Sequence, residues 1–248
     1  MATIEMHLIA ERSLRIMNPI SEAKLMLVGQ LCQLRAGMRW LDLGCGKAEM
    51  ICRFVQAHGL HAVGVDYFQE LLDIGQQRAV ELGVADRVTL VQGDAAAYQP
   101  EAADFDVVSC IGAPWIGGSF VGTLELMKRF GTLNGLYLIG DAYWTETPEQ
   151  AYAAWDKQPG AQVTLVETLD RIDSAGMELV EMVLSTPDEW DRFEAAQWMA
   201  VHDHLRAHPD DETARAAHVW KAKQRRAYLQ YARRYFNWGI FVLRQPVI

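Results

Sequence analysis

The nine residues Leu41-Asp42-Leu43-Gly44-Cys45-Gly46-Lys47-Ala48-Glu49 constrain this chain more than any others. An apolar run ends in an acid and two glycines, and a helix-patterned segment starts at once. That order describes the first strand, tight turn and first helix of an α/β unit of the nucleotide-holding kind. Such a turn needs positive φ or a backbone approach that a Cβ would block, and glycine permits both. On these residues alone, an ordinary strand-to-helix turn is an equal alternative.

The flanking pattern decides the fold class. Strands are expected at 39–43, 61–65, 87–92, 105–111 and 135–140, alternating with helices at 47–58, 69–82 and 122–130. Gly59 and Gly83 stop the first two of these helices. Alternation of this kind calls for a doubly wound, mostly parallel α/β sheet. Two more strands, at 177–184 and 238–243, bring it to seven. Ahead of the sheet, a short helix breaks at Asn18-Pro19, and Ser21 caps a second one reaching Leu34, with Leu25, Leu27, Val28 and Leu31 on one side. Thr147-Pro148-Glu149-Gln150 and Thr186-Pro187-Asp188-Glu189 both read as capping boxes with proline at the first helical position. The first precedes a helix at 163–175. The second opens a long aromatic-rich helical insert, broken at His208-Pro209 and running to about 235. The expected organisation is therefore an N-terminal helical segment or lid at 1–35 and one domain at 36–248. Helical elaborations fall at about 145–176 and 187–236.

Charge and composition exclude several functions. The 248 residues carry a formal net charge of -9, whereas a general nucleic-acid binder needs clustered Lys and Arg. No run approaches the ~18 apolar residues of a membrane span, so a cytoplasmic protein is expected. Cys32, Cys45, Cys52 and Cys110 lack a metal-ligand spacing and read as reduced, buried thiols. His202, His204 and His208 sit at a helix end before Pro209 and read as surface groups, so no metal is expected. The basic run Lys221, Lys223, Arg225, Arg226, Arg233 and Arg234 reads as a solvated helix face, with Tyr228, Tyr231 and Tyr235 turned inward.

Acids recur at successive strand ends: Asp42, Asp66 and Asp94. In an open parallel sheet, ligands bind outside those ends. Asp66 lies twenty residues past Gly46, where a ribose-hydroxyl acceptor is expected. This series resembles the class I S-adenosylmethionine-dependent methyltransferases over about residues 36–145. The resemblance implies a Rossmann-like fold, S-adenosyl-L-methionine as cofactor, and a cofactor set of Asp42, Gly44, Cys45, Gly46, Asp66, Tyr67, Asp94, Ala95, Cys110 and Ile111. It implies that the glycine turn wraps the amino-acid end and that Asp66 holds the ribose. Asp94 then meets the adenine amine, and the Cys110 and Ile111 carbonyls meet the ammonium. The family's third glycine is replaced by Ala48, a change expected to be mild.

A dinucleotide dehydrogenase is the nearest competitor. It wants a third glycine where this chain has Glu49, and a carboxylate there would oppose a pyrophosphate. The acceptor is harder to read. Gly112-Ala113-Pro114-Trp115 lacks the leading amide or acid of nucleobase amino-methyltransferases. Gly140-Asp141-Ala142-Tyr143-Trp144 resembles the fifth-strand ending of a group of small bacterial methyltransferases. That group is loosely similar to cyclopropane-fatty-acid synthases and ubiquinone-pathway methyltransferases. The expectation is a small-molecule acceptor, with Trp115, Tyr143 and Trp144 as a wall facing the donor methyl. Asp141 is the candidate base and Tyr143 a second catalytic candidate. A cofactor-binding regulator without turnover and a lipid-acyl-modifying relative are the alternatives.

Overall fold

The computed structural model describes residues 3–101, 103–146 and 162–246. The chain forms two compact units. One comprises Ser21–Ala142, Leu165–Leu184 and Trp238–Ile248; the other comprises Met1–Ile20, Tyr143–Thr164 and Ser185–Asn237.

The first unit is built on seven strands: β1 (Arg39–Leu43), β2 (His61–Asp66), β3 (Val88–Gln92), β4 (Phe105–Ile111), β5 (Gly131–Trp144), β6 (Glu178–Leu184) and β7 (Phe236–Arg244). Their order in the sheet is β3-β2-β1-β4-β5-β7-β6. Strands β1 to β5 pair in parallel, and β6 pairs antiparallel to β7. The order reverses beside β1, between β2 and β4, so the crevice of a doubly wound sheet opens at the carboxyl ends of β1 and β4. That crevice holds the glycine turn.

Buried aliphatics explain the parallel strands. Leu41, Leu43, Val107 and Val108 are wholly inaccessible, as parallel strands covered on both faces require. α3 (Glu49–His58) covers one face with Ile51, Cys52, Phe54 and Val55, and the Phe54 ring lies 5.1 Å from that of Trp40. α4 (Gln69–Glu81), α5 (Phe120–Lys128) and α6 (Leu165–Ser174) complete the flanking helices of this unit. Ser21 caps α2 (Glu22–Leu31) as expected, but the inward face is Leu25, Val28 and Gly29. Leu27 and Leu31 are each 40 % exposed. Gly29 sets that rotation, because a Cβ there would lie 2.9 Å from the Phe54 ring.

β5 is much longer than the 135–140 core read from the sequence. Phe105 pairs with Gly131 across a register irregularity, which starts the strand early. A parallel bridge between Trp144 and Thr164 holds its far end.

The second unit is helical: α1 (Ile4–Glu11), α7 (Pro187–Ala207), α8 (Glu212–Ala227), a π-helical turn at Tyr228–Ala232 and α9 (Arg233–Tyr235). α1 ends well before Asn18-Pro19. The Thr186 capping box forms with both of its hydrogen bonds, and Asp211 restarts the helix after the break at Pro209. Met6, Ala10, Val201 and Ala217 form the core of this unit. The capping box read at Thr147 lies outside the described residues. Lys221 departs from the outer face read for the basic run: it is 6 % exposed, with its ammonium 3.5 Å from Glu194. Arg233 pairs with both oxygens of Asp191, which also accepts from the buried Tyr228 hydroxyl at 2.7 Å. His204 lies between Arg12 and Asp211.

Candidate active site

β1 delivers Asp42 to the crevice, where it is 3 % exposed. Its Oδ1 accepts the Ser109 hydroxyl at 2.6 Å, and the Trp40 indole N–H donates to that same hydroxyl oxygen at 2.7 Å. Burial pushes the Asp42 carboxyl up to about 7; the Ser109 bond works against this and the neighbouring charge of Asp66 adds to it.

The loop that follows is wound tightly. Gly44, Gly46 and Ala48 all have positive φ, at 75°, 54° and 54°. Ala48 was expected to be a mild replacement, yet it is held in the left-handed region, where a Cβ crowds the following carbonyl at a cost of ~1–2 kcal/mol. Beneath the loop, Gly64 of β2 leaves room that a side chain would take away. A Cβ there would sit 2.8 Å from the Cys45 sulfur and 2.9 Å from the Ile51 methyl.

Asp66 binds the loop from the side. Its Oδ2 accepts the Gly46 N–H at 2.8 Å and its Oδ1 the Phe68 N–H at 3.0 Å. Gly44 N–H and Cys45 N–H both donate to the Val65 carbonyl, at 2.8 and 3.0 Å, and Ala48 N–H donates to Cys45. The amides of Gly44, Cys45, Gly46 and Ala48 are therefore bonded within the fold. A phosphate-binding turn keeps its amides free for the ligand. What this crevice offers instead is acceptors: backbone carbonyls and the carboxylates of Asp42, Asp66 and Asp94. That acceptor set suits a ligand with hydroxyls, an amine and positive charge.

The other cofactor candidates stand along the same edge. Asp94 is exposed and closes a turn by accepting Ala96 N–H at 2.9 Å, with Ala95 buried beside it. Tyr67 is 68 % exposed, edge-on to Phe68. Ile111 pairs with Gly140, and the Cys110 thiol donates to the Ala113 carbonyl at 3.1 Å. Burial pushes that thiol well up, so it stays neutral. The loop after β4 is pinned by Thr123, whose hydroxyl accepts Gly117 N–H and donates to the Pro114 carbonyl. It presents Trp115 at 65 % exposure.

The sequence-predicted aromatic wall separates into different environments. Trp115 is open to solvent, whereas Tyr143 and Trp144 are 4 % and 2 % exposed. Trp144 lies 4.9 Å from the Phe236 ring, and the Tyr143 hydroxyl bonds the Asn237 side chain. Burial raises the Tyr143 phenol, with the Asn237 bond opposing. Asp141 is half-buried, and its Oδ1 accepts Ala142 N–H at 2.7 Å.

Comparison with known proteins shows the family. Residues 34–232 match the family of methyltransferase domains. The uncharacterized Escherichia coli K12 protein YjhP is 37 % identical over 238 residues, which is 95 % of this chain and 96 % of that one. A methyltransferase of Geobacter sulfurreducens, solved with S-adenosyl-L-homocysteine, superposes with a TM-score of 0.93 at 38 % identity, covering 99 % of both chains. One from Thiobacillus denitrificans, also solved with S-adenosyl-L-homocysteine, gives 0.92 at 35 % identity over 99 % of this chain and 100 % of that one.

The chain is a class I S-adenosylmethionine-dependent methyltransferase.

In this methyltransferase Glu49, the acid at the place of a dehydrogenase's third glycine, is held by two arginines. It is 5 % exposed and receives Arg53 at 2.6 Å and Arg78 at 2.7 and 3.0 Å. Burial works to raise its carboxyl, but the hydrogen bonds from Arg78 and Arg53 prevail and hold it low. The sequence reading also missed Ser109 and Trp40. The signal was a lone hydroxyl inside the apolar run 105–111, but its partner appears only once β1 and β4 are in register, which places Asp42 opposite Ser109.

Proposed function

We propose that the enzyme methylates a small-molecule acceptor, with the cofactor held along the carboxyl ends of β1 to β4. In this reading Asp66 takes the ribose hydroxyls on the lone pairs left by Gly46 and Phe68. Asp94 and Ala95 receive the adenine, with Tyr67 beside it. The turn from Asp42 to Gly46, with the Cys110 and Ile111 carbonyls, receives the amino-acid end. The observation that carries the reading is the acceptor-rich crevice: the amides of Gly44, Cys45, Gly46 and Ala48 are already bonded, and its three strand-end acids suit a cationic, hydroxyl-bearing adenosine ligand.

The bound cofactor supplies a methyl group on a sulfonium. Transfer is an in-line displacement: an acceptor lone pair forms the new bond to the methyl carbon, and the sulfur keeps the pair of the breaking bond. The protein's task is alignment and exclusion of water. Trp115, exposed on a loop anchored by Thr123, is the proposed contact for an apolar or cationic acceptor. Where the acceptor is a hydroxyl or thiol, Asp141 is the proposed base. A small acceptor is supported by the net charge of -9 and by the absence of a leading amide or acid before Ala113-Pro114-Trp115.

The test is a metabolite-panel screen that reads S-adenosylhomocysteine release. Turnover with at least one small metabolite, reduced in Asp66→Ala at sub-saturating cofactor, is the expected result. Cofactor binding with no turnover across a broad panel would favour a regulatory protein instead.

A further inference from the structure

Asp42 is tied into a buried relay that the cofactor site described so far does not use. Trp40 and Ser109 are wholly inaccessible. The indole N–H can only donate, and it donates to the Ser109 oxygen at 2.7 Å. The serine proton is then left for an acceptor, and Asp42 Oδ1 stands at 2.6 Å against 3.5 Å for the Leu41 carbonyl. The pairing of β1 with β4 fixes this geometry, since Asp42 and Ser109 are direct partners. A carboxylate in such a place has one strong donor and little water, and an anion buried without a counter-charge is costly.

Among the titratable neighbours, Asp66 adds to that cost. Asp66 at the end of β2 is a second carboxylate acting on Asp42. Burial first, and then the Asp42 charge, raise the thiols of Cys45 in the loop and Cys110 on β4, which stay neutral and add no charge of their own. Asp141 on β5 acts on Cys110, and Lys47 is the buried cation of the loop itself.

We propose that Asp42 is a proton-linked counter-ion for the cofactor: it holds a proton in the empty site and gives it up when the cofactor's ammonium arrives, and Ser109, fixed by Trp40, is the positioning residue that sets the pH of the exchange. The proposal rests on the reading that this turn faces the amino-acid end of the cofactor. The step balances simply. The Asp42 O–H bond breaks, its electron pair stays on the carboxylate, and the proton leaves to the buffer. The incoming ammonium supplies the positive charge that makes the buried anion affordable. The burial that pushes this carboxyl to about 7 places the exchange near neutral pH.

The experiment is calorimetric titration of the full chain with S-adenosylhomocysteine between pH 6 and pH 8. At each pH it is run in two buffers of different ionisation heat, which yields the protons released per ligand bound. Wild type is expected to release about one proton at pH 6 and about a tenth of one at pH 8. Asp42→Asn is expected to release none. Ser109→Ala removes a donor to the anion and moves the release profile up by about one pH unit. Ser109→Thr keeps the hydroxyl and keeps the wild-type profile. A merely structural role for Ser109 would lower affinity by the same factor at every pH and leave the profile in place, and that result overturns the proposal. Binding by wild type without proton release also overturns it, while the cofactor site stands. No binding of S-adenosylhomocysteine by wild type overturns the site reading itself.

Discussion

Replacing Asp42 with Asn should change how the empty protein's stability depends on pH. The carboxyl stands at about 7 in the folded chain against 3.8 as its ordinary value, with burial as the leading cause. Between those values the unfolded chain has released the proton and the folded chain has not. Each pH unit in that window therefore favours unfolding, and the wild-type chain loses stability from about pH 4 to about pH 7, then levels off. A separation of about three units corresponds to ~4 kcal/mol. Asn cannot titrate, and its carbonyl still accepts from Ser109, so it lacks this loss. The fixed cost of placing its amide in the site cancels when two pH values are compared. Urea unfolding of both proteins at pH 4 and pH 8 is the assay. The gap in unfolding free energy should open by ~4 kcal/mol in favour of Asp42→Asn, equivalent to about 10 °C in Tm for a chain of this size. Parallel curves across that range would refute the reasoning, because they mean that Asp42 ionises in the fold as it does in water.

Three further substitutions probe the loop and its supports. Gly64→Ala drives a methyl into the Cys45 sulfur and the Ile51 side chain; it should cost ~1–3 kcal/mol and weaken cofactor affinity, read by thermal shift with and without S-adenosylhomocysteine. Glu49→Gln leaves Arg53 and Arg78 without their shared anion and should cost ~2–4 kcal/mol near neutral pH by urea unfolding. Because the Glu49 carboxyl is held below 4.5, its contribution is complete above that value and lost as pH falls through the folded one, so mutant and wild type should converge in acid. Ala48→Gly relieves the left-handed strain but gives up a buried methyl and stiffness, opposing effects of ~1 kcal/mol each, so the measured change should stay within about 1 kcal/mol.

The fold was legible because each parallel strand is an apolar run closed by an acid or glycine, and each flanking helix carries its own stop. Asp66 was legible for a similar reason: its spacing from Gly46 reflects one turn of βαβ structure, and the structure joins the two directly. Strand register was not legible, and so neither was the pairing of Ser109 with Asp42. The burial of Tyr143 and Trp144 was not legible either. Aromatics at a strand end look available to a ligand, but their burial depends on Phe236 and Asn237, more than ninety residues downstream in the chain. The left-handed backbone at Ala48 was hidden as well. Alanine resembles glycine in size, yet the difference between them lies in φ, which the residue name does not show.

The central claim is that this crevice binds the cofactor through Asp66 and the glycine turn. The most direct measurement is calorimetric titration of S-adenosylhomocysteine into the wild-type chain and into Asp66→Ala. The account predicts one equivalent bound by wild type and binding weakened by roughly 10- to 150-fold in the variant, matching the loss of ~1.5–3 kcal/mol in hydrogen bonds to a charged group. No binding by wild type, or equal affinities in the two proteins, would contradict it.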